Sequence, residues 1–109
     1  MNAQLSHDSS SQLQEIIDRI VRVASPDRIV LFGSSVHGDR GPNSDLDLLV
    51  VKRGAKRRAL AASIYRSLIG VGRAVDIVVC RPDDLERYGN SPALVLYPAM
   101  REGRVVYAA

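Results

Sequence analysis

A chain of 109 residues, 46% hydrophobic and 25% charged, has the size and composition of one compact globular domain. A net charge of +3 is far from that of a nucleic-acid-binding tail, and no apolar run approaches the ~20 residues that cross a bilayer. No membrane partner is expected. With one Phe, four Tyr and no Trp, groups for stacking bases are scarce, so a nucleic-acid partner is possible but not favoured.

The first ten residues are polar and Ser-rich, with no apolar segment of the kind a signal peptide needs. The expectation is a flexible leader over 1–10 and a single domain over 11–109. Ser11, with Gln14 three residues on, fits a capping box and predicts the start of the first helix. Leu13, Ile16, Ile17, Ile20 and Val21 then fall on one helical stripe, and Pro26 ends it. Residues 28–32 are β-branched and apolar and predict a buried strand, closed by Gly33.

A polar helical turn is expected over 34–40, and Gly41-Pro42-Asn43-Ser44 is a turn signal. Residues 45–51 predict a second strand, and Lys52 to Gly54 a basic turn. A helix over 56–69 follows, with Leu60, Ile64 and Leu68 on one side, broken by Gly70-Val71-Gly72. Residues 74–80 predict a third strand. Its last residue, Cys80, is the only cysteine, so it has no internal disulfide partner. The expectations are a buried thiol and a reducing, cytoplasmic compartment.

Pro82 opens a short helix whose Asp83, Asp84 and Glu86 suit the positive end of its dipole. A last helix over 93–101 and a final strand over 104–107 complete the chain. Helices and strands intermix, giving an α+β (mixed α/β) fold with a small sheet flanked by helices.

Three aspartates stand where stability alone would not put them. Asp45 and Asp47 are two apart on a strand, so both point to one face while Leu46, Leu48 and Val50 point into the core. Asp76 lies in the third strand, opposite in face to Val75, Ile77 and Val79. Aspartate is depleted in strands, and like charges on neighbouring strands repel. A divalent cation removes that penalty, and hard ions such as Mg²⁺ or Mn²⁺ prefer carboxylate and phosphate oxygen. Asp45, Asp47 and Asp76 are therefore the candidate metal ligands and catalytic residues. Taken singly, each would suit a turn or a strand end near the surface.

Upstream, Gly33 allows close backbone approach to a ligand, and Ser34 offers a hydroxyl and an N–H to a phosphate. A strand, Gly-Ser, ten residues and Asp-x-Asp on the next strand would fold back to bring the phosphate turn beside the carboxylates. Lys52, Arg53, Lys56, Arg57 and Arg58 form a basic run that reads as a solvated face.

The segment LFGSSVHGDRGPNSDLDLLVV, residues 31–51, resembles the signature of the DNA polymerase beta-like nucleotidyltransferase superfamily, most closely its minimal nucleotidyltransferase branch. Gly33, Ser34, Asp45 and Asp47 match that pattern, and VDIVV supplies Asp76 as a third carboxylate. The resemblance implies a nucleotidyltransferase fold and two Mg²⁺ or Mn²⁺ ions held by Asp45, Asp47 and Asp76. It implies ATP as substrate, with Gly33, Ser34, Arg40 and Ser44 binding the nucleotide. His37 departs from the family, which often has an arginine there.

In a chain of this size the catalytic unit is expected to find its acceptor on another molecule. The resemblance points to a HEPN-type toxin, an α-helical ribonuclease, to which the protein would transfer AMP as its antitoxin. The alternative is a non-catalytic binding module that neutralises such a partner by complex formation.

Overall fold

The computed structural model describes residues 4–33, 45–84 and 103–109, with side chains of the first helix described from residue 11. The order is α1 (Gln4–Ala24), β1 (Arg28–Phe32), β2 (Leu46–Val51), α2 (Arg57–Ser67), β3 (Val75–Cys80) and β4 (Arg104–Ala108). The fold is the expected mixed α+β arrangement. Among the described residues, four strands form one open sheet in the order β3-β2-β1-β4. β1 pairs antiparallel with β2 and with β4, and β2 runs parallel to β3.

Both helices pack on one face of this sheet. From α1, Ile16, Ile17, Ile20 and Ala24 meet Ile29 and Leu31 of β1, Leu46, Leu48 and Val50 of β2, and Ile77 and Val79 of β3. α2 adds Ile64, with Leu68 just past its end. The strand residues of opposite parity, Val30, Phe32, Leu49, Val51 and Cys80, form a second buried cluster on the other face. A sheet buried on both faces explains why its strands read as continuous apolar runs rather than alternating ones.

α1 begins at Gln4, so Ser11 lies within the helix and does not cap it. The capping box misled because nothing from Gln4 to Ser10 is glycine or proline, and each added residue gains a hydrogen bond once a turn exists. Gln14 bonds Asp18 instead, at 2.9 Å. The helix ends where expected, at Ser25, which takes a left-handed φ of 45° before Pro26. The turn over 34–40, the remainder of the helix that opens at Pro82, and the helix expected over 93–101 lie outside the described residues.

Candidate active site

The antiparallel β1–β2 pair returns the chain so that Phe32 lies opposite Asp47. Gly33, the next residue, has φ +76°, and a Cβ there would collide with Asp47 Oδ2. Only glycine fits both the backbone and the contact. The end of β1 is thus closed down onto the first strand carboxylate.

On the other side, the parallel β2–β3 register sets Asp47 directly against Asp76. Neighbouring strands lie ~4.8 Å apart, and both residues share the face opposite the helices. Leu46, Leu48 and Val50 face the helical core, as do Ile77 and Val79. Asp45 immediately precedes β2 and is exposed, Asp47 is half-buried, and Asp76 is exposed. Gly33, Asp45, Asp47 and Asp76 therefore occupy one end of the sheet. Ser34, Arg40, Ser44 and His37 lie outside the described residues.

Among the described residues, no three His, Cys, Asp or Glu side chains converge on one point to hold a metal ion. What the backbone brings together is a pair, Asp47 and Asp76, with Asp45 two residues upstream. The donors are carboxylate oxygens on adjacent strands, the chemistry that hard divalent cations take. Two of the three aspartates are open to solvent, so the residues fit such an ion in kind and access.

The entry into β3 is fixed by α1. Arg19 Nη1 donates to the carbonyls of Ser67 and Ile69, both at 3.0 Å, while Nη2 pairs with Glu15 at 2.7 Å. Gln12 Nε2 reaches the Val71 carbonyl at 3.4 Å. These bonds secure the turn that carries Gly70 and Gly72, both at positive φ, a few residues before Asp76.

Sequence reasoning missed Asp84. It is a buried carboxylate, accepting the Arg81 N–H at 2.9 Å and pairing with Arg57 Nη1 at 3.1 Å. The Arg81 N–H, with the charges of Arg57 and Arg81, outweighs burial and holds the Asp84 carboxyl below the usual range. Beside it, burial and the Asp84 charge push the Cys80 thiol up to about 11, so it is a protonated core residue and not a nucleophile at neutral pH. The sequence signal for Asp84, an acid early in a helix, carries no sign of its burial, because nothing local reveals that Arg57 of α2 reaches it. Two open grooves, one along α1 and Ser67, the other beside Lys52 and Lys56, include none of Gly33, Asp45, Asp47 or Asp76.

The family model described as the nucleotidyltransferase domain matches residues 11–97. The chain belongs to the nucleotidyltransferase domain family. That match covers the segment from α1 through Gly33, Asp45, Asp47 and Asp76. This nucleotidyltransferase also shares its fold with a crystal structure from Sulfolobus solfataricus, described as a candidate nucleotidyltransferase. The two are 19% identical, with a TM-score of 0.63 over 92% of this chain and 80% of the other. No curated protein matches the chain.

Proposed function

We propose that this nucleotidyltransferase moves AMP from ATP onto a hydroxyl of a partner protein, and that it serves as antitoxin to a HEPN-type toxin. The observation that carries the reading is the register of Asp47 against Asp76, with Gly33 closed onto Asp47. The branch and the partner rest on the Gly-Ser, ten-residue, Asp-x-Asp pattern, which is that of the minimal enzymes.

In this reading Asp45, Asp47 and Asp76 would hold two Mg²⁺ or Mn²⁺ ions. Such ions, when bound, lower the pKa of an acceptor hydroxyl and offset charge on the triphosphate. The chain's own residues orient the reactants. Gly33 and Ser34 present backbone to the β- and γ-phosphates, with Arg40 and Ser44 as further nucleotide contacts. Asp76 accepts the acceptor's proton. The acceptor oxygen bonds to the α-phosphorus, the bond from that phosphorus to the β-phosphate oxygen breaks, and pyrophosphate leaves. No covalent enzyme intermediate is required, and the protonated Cys80 is unsuited to forming one.

The test is incubation of the native chain and Asp47→Asn with labelled ATP, Mg²⁺ and the product of the neighbouring gene. Label on that product with the native chain, reduced more than about 100-fold by Asp47→Asn, supports the enzyme; outer-shell changes alone cost 10–100-fold. Neutralisation of the partner by both proteins, without label, would replace the enzyme by a binding module.

A further inference from the structure

The proposed chemistry requires Asp76 to be held within ~0.5 Å of its working place beside Asp47. Yet β3 is the outermost of the described strands at its side of the sheet. On such an edge only one side of the backbone is secured by a neighbouring strand. At the two ends of β3, Leu46 N–H donates to the Ala74 carbonyl at 3.0 Å and Lys52 N–H to the Cys80 carbonyl at 2.9 Å. With the period of two, the carbonyls of Ala74, Asp76, Val78 and Cys80 turn toward β2, while the amides of Val75, Ile77 and Val79 turn outward.

One of those outward amides is taken by a side chain. Ile77 N–H donates to the Tyr65 hydroxyl at 2.9 Å. Tyr65 stands on α2 and is 45% exposed, so its ring is no core filler. The bond falls on the peptide unit that joins Asp76 to Ile77. That single planar unit is gripped from the inside, through the Asp76 carbonyl facing β2, and from the outside, through the Ile77 N–H. Because the unit is rigid, gripping both its ends fixes the place of the Asp76 Cα, from which the carboxylate is carried. Val75 and Val79 have no such bond described.

We infer that Tyr65 is a positioning residue for Asp76, setting the second carboxylate against Asp47 through the Ile77 amide. This rests on the reading of Asp47 and Asp76 as metal ligands. Tyr65 touches no reactant in this role; its hydroxyl holds the strand that carries one.

The experiment titrates Mn²⁺ into the full chain with a non-hydrolysable ATP analogue, following free Mn²⁺ by electron paramagnetic resonance. Native protein, Tyr65→Phe, Asp76→Asn and Asp84→Asn are compared, and amide exchange is read at Ile77. Tyr65→Phe keeps the ring and loses only the hydroxyl. It is expected to weaken Mn²⁺ binding about 10-fold, the lower end for outer-shell changes. Exchange at Ile77 should quicken roughly fivefold, as for one lost hydrogen bond. Asp84→Asn, destabilised at the other end of the sheet, should bind Mn²⁺ as native protein does. A Tyr65→Phe chain with native Mn²⁺ affinity, while Asp76→Asn has lost it, overturns the positioning role and leaves the site intact. Equal Mn²⁺ binding by native protein and Asp76→Asn removes the metal site itself, and the positioning role with it.

Discussion

The two ends of β2 and β3 carry acidic residues in opposite circumstances. At the C-terminal end, Asp84 is buried and bonded to the Arg81 amide and Arg57, and Asp27 accepts the Arg53 N–H at 2.8 Å. At the N-terminal end, Asp47 and Asp76 lie in register with each other, and Asp45 and Asp76 are open to solvent. Carboxylates that hold a fold together are supplied with donors by neighbouring elements. Carboxylates placed against one another oppose folding and are kept only where something else neutralises them. The same side chain is thus bonded to neighbouring elements at one end and set opposite its like at the other.

The largest effect should come from closing the space over Asp47. Gly33→Ala places a Cβ onto Asp47 Oδ2 at a φ of +76°. The backbone conformation alone costs about 1–2 kcal/mol, and the carboxylate must move aside. Label transfer should fall about 100-fold, comparable with loss of an outer-shell partner, while urea unfolding stays cooperative. Transfer at the native rate would show that Asp47 does not work from the place where Gly33 holds it.

At the opposite end the effect should appear in stability alone. Asp84→Ala strands the Arg81 N–H and leaves Arg57 without its buried partner, at a cost of about 1–3 kcal/mol in urea unfolding. The pH dependence has a definite sign. Asp84 releases its proton more readily folded than unfolded, so the unfolded chain binds more protons and stability rises with pH. Its contribution is fully present above about 4, the unfolded value, and fades as pH falls through the lower folded value. Asp84→Asn should remove that part of the acid slope and leave Mn²⁺ affinity unchanged. An unaltered slope would mean that the Arg81 and Arg57 contacts contribute no linkage.

How far the sequence reveals this contrast depends on the distance over which each feature is encoded. Asp47 and its face were legible because a strand's period of two is local, and Gly33 because a glycine after a strand marks a close approach. The register of Asp47 on Asp76 needs the parallel pairing of strands separated by α2, which alternation alone does not fix. The burial of Asp84 was not legible for the same reason: Arg57 is 27 positions away and arrives only once α2 packs. The extension of α1 back to Gln4 was hidden by a plausible cap at Ser11, since propensity places helix ends poorly when no breaker intervenes. The hydroxyl of Tyr65 on the β3 edge has no local signal at all.

The smallest expected effect is also the sharpest discriminator between the two ends. Asp76→Asn removes one of two like charges that face each other across adjacent strands, and the side chain is exposed with no hydrogen bond or ion pair among the described residues. Without divalent cation the variant should unfold in urea within about 0.5 kcal/mol of native protein, or be slightly more stable, as relief of a directly opposed like-charge pair allows. With Mg²⁺ and ATP at about 100 times the dissociation constant, native protein should gain about 2.7 kcal/mol by mass action. The variant should gain little. A loss of stability in the metal-free state as large as that of Asp84→Ala would make Asp76 a structural acid, and the difference between the two ends of the sheet would vanish.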